Sequence, residues 1–182
     1  MTQKLILTIG LPKSGKSTWA RNKAECNHSY VIICRNDIRK MLSPVPNFTN
    51  ARESLVTVIE TNAVRSAIGK NLNVIIDSHH LNPKIIDKWM DYVEKENALR
   101  VEKNLEPIEI ETVWFNTSLE ECIRRDENSP EHLQTGTNLI RSIHNKYFAS
   151  VDTSSFTRVV DNSWWDKNKP LPSNPTENDM VW

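Results

Sequence analysis

The residues with the most to say about chemistry stand near the start of the chain: Gly10-Leu11-Pro12-Lys13-Ser14-Gly15-Lys16-Ser17-Thr18, directly after the apolar run Leu5 to Ile9. Glycines at these places let the backbone curl until successive N–H groups point inward. A helix beginning at the same point adds its positive end, so the loop suits phosphate oxygens. In this pattern the lysine, Lys16, reaches the β- and γ-phosphates and the following hydroxyl, Ser17, ligates magnesium. Gly10, Pro12, Lys13, Ser14, Gly15, Lys16, Ser17 and Thr18 are therefore the candidate nucleotide site, with ATP and Mg2+ as its ligands. The strand before the loop, the helix after it and the complete Gly-Lys-Ser set it apart from an ordinary glycine turn.

Ligands of open parallel sheets gather at the carboxyl ends of the strands. The residues after the next two apolar runs are Arg35-Asn36-Asp37-Ile38-Arg39 and Asp77-Ser78-His79-His80-Leu81-Asn82-Pro83. Asp77 ends its run where phosphate-loop enzymes hold a magnesium acid; a turn or helix-capping aspartate is the alternative. His79 and His80 are adjacent, so their side chains diverge. With no third histidine beside them and no Cys-x-x-Cys pair, zinc is not supported, and hydrogen bonding to substrate or to the loop stands beside plain exposure. Lysine plus arginine equals aspartate plus glutamate at 23 each, so any site for a polyanion must be local. Arg35, Arg39 and Lys40, and separately Arg124 and Arg125, are the clusters able to make one, unless they are solvated helix faces.

The elements that must position these residues alternate. Apolar β-type runs at Leu5 to Ile9, Tyr30 to Cys34, Val74 to Asp77, Ile108 to Phe115 and Arg158 to Val160 are separated by helical patterns, which argues a parallel sheet with crossover helices. Runs such as Val31 to Cys34 and Val74 to Asp77 lack polar alternation, so both sheet faces should be covered. A helix is expected from Ala51 to Ile68, with Asn50 and Glu53 at capping-box spacing, Leu55, Ile59, Ala63 and Ala67 inward and Gly69 at its end. Asn82-Pro83 opens another, with Ile86, Trp89, Met90 and Val93 buried. Further helices should follow Lys16, Asp37, Ser118 and Thr137.

The 182 residues suit one domain, 1–162, followed by a tail, 163–182. Prolines 170, 172 and 175 predict loose order there. Trp164, Trp165 and Trp182 would stack on bases or pack against the domain. Ser43 to Asn47 has turn chemistry and is expected as a surface loop near the substrate side. Cys26, Cys34 and Cys122 are scattered and read as free thiols of a reducing compartment. With neither a signal peptide nor a run of membrane-spanning length, a soluble, cytoplasmic protein with no membrane partner is expected.

The succession GLPKSGKSTWA, CRNDIRKML, VIIDSHHLNPK and CIRRD, then Ile140-Arg141 through Tyr147-Phe148, resembles the kinase half of phage-type polynucleotide 5'-hydroxyl kinases. The resemblance spans Lys4 to Phe148, and Trp19-Ala20 and Leu81-Asn82-Pro83 make it specific. It implies an α/β, three-layer P-loop NTPase fold: a five-stranded parallel sheet in the order 2-3-1-4-5, helices on both faces and a small helical lid. It also implies transfer of the γ-phosphate of ATP to the 5'-hydroxyl of DNA or RNA, with single-stranded or nicked 5' ends as partners. By position, Lys16 and Ser17 match phosphate and magnesium residues, Arg39 an arginine for substrate phosphate or acceptor, and Arg125 a lid arginine. Bifunctional members continue into a phosphatase domain that this sequence lacks, so 3'-phosphatase activity is not expected.

Two positions depart from that pattern. The family's base is an acid where this chain has Asn36, and a second lid arginine is Ser129 here. General-base help is worth about 100- to 10,000-fold and a transition-state arginine about 1,000- to 100,000-fold. Phosphoryl transfer nonetheless has a loose transition state in which positioning outweighs basicity. Asn36 still accepts a hydrogen bond from a hydroxyl, whereas Asp37 lies about 100° further round a helix and is either a second candidate or a cap. Lys13 or Arg124 are candidates for the missing lid charge. Lys16, Asn36, Asp37, Arg39 and Arg125 form the catalytic expectation, with Arg35, Arg39, His79 and His80 on the substrate. A nucleoside or small-molecule kinase, and a nucleotide-binding module without catalysis, are the competing readings.

Overall fold

The computed structural model describes residues 2–43, 48–148, 151 and 153–160. The expected tail with its tryptophans, and residues 44–47 of the Ser43 to Asn47 loop, lie outside these. Five strands, β1 (Lys4–Ile9), β2 (Tyr30–Cys34), β3 (Asn73–Asp77), β4 (Glu109–Phe115) and β5 (Arg158–Val160), form one parallel sheet in the order β2-β3-β1-β4-β5. Six helices join them among the described residues: α1 (Lys16–Cys26), α2 (Arg35–Leu42), α3 (Asn50–Gly69), α4 (Pro83–Glu102), α5 (Leu119–Glu127) and α6 (Thr137–Tyr147).

Period-two alternation along β1 explains the layers. Leu5 and Leu7, with Ile33, Val74 and Ile76, pack against Val64, Ala67 and Ile68 of α3 and against Trp89 and Val93 of α4. Ile6, with Ile75, Val113 and Phe115, points to the other face and meets Trp19 and Ala20 of α1. Leu5, Ile6 and Leu7 are all fully buried, as a central strand covered on both sides requires. At about 1.5–3 kcal/mol for each such side chain, this burial rather than local propensity holds strands of three to seven residues in place. Ile9, Leu11 and Trp114 continue the core at the carboxyl end of the sheet, against Cys122 and Ile123 of α5 and Ile140 of α6.

The helices differ from the sequence expectation in three places. α3 is capped by Thr49, whose hydroxyl accepts from the Arg52 N–H at 3.3 Å, rather than by Asn50. Its buried stripe is Val56, Glu60, Val64 and Ile68, one position over from the expected one; Ala67 is buried as expected and Leu55 is exposed. The register is displaced because Glu53, Thr57 and Glu60 turn toward arginines of α2, a demand that hydrophobic spacing alone does not register. In α4, Trp89 and Val93 are buried as expected, but Met90 is exposed and Arg100 takes a buried place. Finally, α2 starts at Arg35, directly after β2, so Asn36 and Asp37 lie in its first turn instead of preceding it.

Candidate active site

The loop between β1 and α1 is built around two glycines. Gly10 has φ +154°, and a Cβ there would stand 3.0 Å from both the Phe115 Cβ and the Ser14 Oγ. Gly15 takes the left-handed conformation, φ 100°, at the N-cap of α1, where only glycine enters without strain. The Gly10 N–H donates to the His79 carbonyl and the Thr117 hydroxyl to the Ser14 carbonyl, which ties the loop to the ends of β3 and β4. Ser14 and Lys16 are buried, while Ser17 and Thr18 at the start of α1 are exposed.

Inside this curl, the Lys16 Nζ donates to the Leu11 carbonyl at 2.6 Å, the Gly10 carbonyl at 3.0 Å and the Ser14 hydroxyl at 3.2 Å. Burial pushes its pKa down to about 8, against the opposing charge of Asp77. Asp77, the last residue of β3, is itself buried. β3 runs parallel to β1 with Ile76 opposite Leu7, so Asp77 stands at the same carboxyl end of the sheet as the phosphate loop. Ser17 and Asp77 together offer two oxygen donors, the hard set that Mg2+ takes when phosphates and water complete its shell. No group of three or more potential metal-ligating His, Cys, Asp or Glu side chains occurs among the described residues.

The histidines after β3 part company. His80, at φ 39°, is buried with its Nδ1 2.9 Å from the Thr8 carbonyl, so its place is in the framework under β1. His79 is exposed to solvent, yet close-packed atoms around its ring desolvate it and, with the charges of Lys16, His80, Arg39 and Arg35, lower its pKa to about 4. His80 is likewise lowered to about 4, chiefly by burial. Both rings are thus neutral near pH 7.

Across from them, α2 and α3 form a closed ionic network. Arg39 donates through Nε and Nη2 to the two oxygens of Glu53 at 2.7 and 2.8 Å, and through Nη1 to the Asn36 Oδ1 at 2.8 Å. Arg35 donates to Glu60 at 2.7 Å and to Glu53 at 3.2 Å, with Thr57 between them. The hydrogen bond from Arg39 leads in holding the Glu53 carboxyl at about 2. Asp37 faces solvent and pairs with Lys40 at 3.4 Å, and the N-cap of α2 is Cys34, so Asp37 is not the capping residue. Asn36 is the residue of this turn whose side chain accepts from Arg39.

Lys13 turns away from the loop interior. Its ammonium lies 3.0 Å from the Ser129 hydroxyl, 2.9 Å from the Leu133 carbonyl and 3.4 Å from Asp126. Arg125 donates through Nη1 to the Lys13 carbonyl at 3.3 Å and through Nε to Glu121 at 2.6 Å. Arg124 also binds Glu121 but is exposed.

The profile of the AAA domain family matches residues 5–153. The chain belongs to the AAA domain family. Its five-stranded sheet and helices have the P-loop kinase fold. This AAA domain is similar to a chain of a Pnkp1/Rnl/Hen1 complex at 26% identity and a TM-score of 0.54, over 68% of this chain and 39% of that one. A chain of the Pnkp1/Rnl/Hen1 RNA repair complex matches at 22% identity and a TM-score of 0.66, over 83% and 47% respectively. The AAA domain thus spans less than half the length of these two relatives. A gluconokinase from Sinorhizobium meliloti 1021 shares the fold at 18% identity and a TM-score of 0.50, over 88% of this chain and 82% of that one. No helix among the described residues is long and apolar enough to cross a membrane.

Sequence reasoning gave Glu53 only a capping-box place and passed over its pairing with arginines, and it passed over Thr57, Glu60 and Asp126 altogether. The first three sit at i, i+4 and i+7 on α3, a polar stripe on an otherwise amphipathic helix, and that spacing was their available signal.

Proposed function

We propose that this chain is an ATP-dependent phosphotransferase that moves the γ-phosphate to the 5'-hydroxyl of a polynucleotide. The observation that carries the reading is the convergence of three groups at one end of the sheet. They are the phosphate loop around Lys16, the buried Asp77, and the Arg35–Asn36–Arg39 turn, which begins directly after Cys34, the β2 residue that pairs with Asp77. The similarity to chains of an RNA repair complex supports a nucleic acid acceptor.

In this reading Lys16 exchanges its neutral loop carbonyls for phosphate oxygens, acceptors that carry the opposite charge. Arg125, already directed at the loop backbone, adds positive charge to the transferring group. Ser17 and Asp77 would hold a magnesium ion, which would supply charge neutralisation to the phosphates. Asn36 orients the attacking hydroxyl, with its own position set by Arg39. Arg35 and Arg39 face the acceptor and its flanking phosphate, and neutral His79 offers a hydrogen bond beside them. Without a carboxylate at Asn36, catalysis rests on position and charge.

A second reading, a small hydroxylated acceptor such as a nucleoside, draws on a specific observation. Arg35 and Arg39 are matched by Glu53 and Glu60, so this turn has no surplus charge for a long polyanion.

Both readings are separated by incubating the protein with γ-labelled ATP and magnesium and offering 5'-hydroxyl DNA, 5'-hydroxyl RNA and free nucleosides. Label on oligonucleotides supports the first and label on nucleosides alone the second. ATP binding without label anywhere indicates a nucleotide-binding module. Asn36→Asp should raise the transfer rate by about 100-fold or more; an unchanged rate would refute the assignment of the hydroxyl-orienting position.

A further inference from the structure

We propose that Lys13 is a positioning residue that braces the lid, residues 119–140, against the phosphate loop and so holds Arg125 over it. The proposal rests on the ATP-dependent reading above for its consequence in catalysis. It begins from a strained backbone: Lys13 sits at φ 67°, in the left-handed region, in the middle of the loop. A non-glycine residue there bears a conformational cost that surrounding contacts must offset, and such positions cluster at functional sites.

The contacts run in both directions. Outward, the ammonium donates to two lid acceptors, the Ser129 hydroxyl and the Leu133 carbonyl, and pairs ionically with the Asp126 carboxylate at 3.4 Å. With two of its three donors on lid oxygens and its charge paired with Asp126, Lys13 is committed to the lid in this arrangement. Inward, the carbonyl of the same residue accepts from Arg125 Nη1 at 3.3 Å, while Glu121 fixes the Nε of that guanidinium. One residue thus grips the lid with its side chain and steadies Arg125 with its backbone.

Asp126 makes the brace more than a surface pair. It is 1% exposed, and its two oxygens also accept the Thr135 and Gly136 N–H groups at 2.8 Å each. The carboxylate therefore joins the end of α5 to the start of α6, and Lys13 anchors that junction to the loop. Truncating Lys13 leaves a buried carboxylate without its cation, which is where a lid of this kind loosens.

The test uses hydrogen exchange and ATP calorimetry on the full chain with Lys13→Met, Lys13→Gly and Lys13→Arg. Before nucleotide is added, Lys13→Met should speed exchange at Thr135 and Gly136 by about 10-fold or more while β1 and β3 keep their protection. Lys13→Gly relieves the backbone strain yet should loosen the lid equally, and Lys13→Arg should restore protection. ATP affinity should fall on the order of 5-fold in Lys13→Met and in Arg125→Ala, with no further fall in the double variant. Unchanged lid exchange in both Lys13→Met and Lys13→Gly, or losses that add in the double variant, would overturn the proposal. A wild-type protein that binds no ATP would remove the proposed function, while the exchange data would still decide the brace.

Discussion

Lys16 has two demands on it: it is buried among carbonyls, and under the proposed function it must carry a charge to hold phosphate. Burial lowers its pKa from 10.5 to about 8, so the folded form gives up its proton before the unfolded chain does. Between about pH 8 and 10.5 the unfolded state binds more protons, and the contribution of Lys16 to stability rises with pH through that window. Below about pH 8 the ammonium is charged in both states and the burial cost is fully present. Binding has the opposite sign. ATP affinity should be level just below pH 8 and fall by up to about tenfold per pH unit above it. Lys16→Met should bind weakly and lose that dependence, a result accessible to calorimetry across a pH series. At this scale the motif was legible because loop, lysine and hydroxyl are contiguous in the chain. Glu53 and Glu60 were not, since their partners Arg35 and Arg39 meet them only when α2 and α3 pack. The role of Lys13 also depended on the lid reaching back across the loop.

Elements rather than single residues decide where the loop stands. Gly10 ends the strand that pairs with both β3 and β4, and it touches Phe115 at the end of β4 too closely to accept a side chain. Gly10→Ala should cost on the order of 2 kcal/mol through strain and weaken ATP binding by shifting the loop, as denaturant melts and calorimetry would show. A variant as stable and as tight as wild type would contradict the packing described here. The strands were readable from apolar runs lacking alternation, and the observed bounds of β1 and β2 differ from the expected ones by a residue at most. Helix faces were less readable. The stripe of α3 is displaced because Glu60, an acid, takes a core position by pairing with Arg35.

For the whole molecule, the order β2-β3-β1-β4-β5 puts β3 beside β1 and so brings Asp77 alongside the phosphate loop. α2, following β2 on the far side of β3, carries the arginine turn to the same end of the sheet. The lid follows β4 on the other flank and returns Arg125 to the loop. Strand order and the carboxyl-end rule therefore explain why residues spread over more than a hundred positions meet. The measurement that tests this arrangement most directly is a calorimetric titration of ATP, with and without magnesium, into wild-type protein and Asp77→Asn. We expect saturable heat for wild type that strengthens with magnesium, and binding to Asp77→Asn that magnesium no longer strengthens. No heat with wild type, or an Asp77→Asn titration identical to wild type, would contradict it.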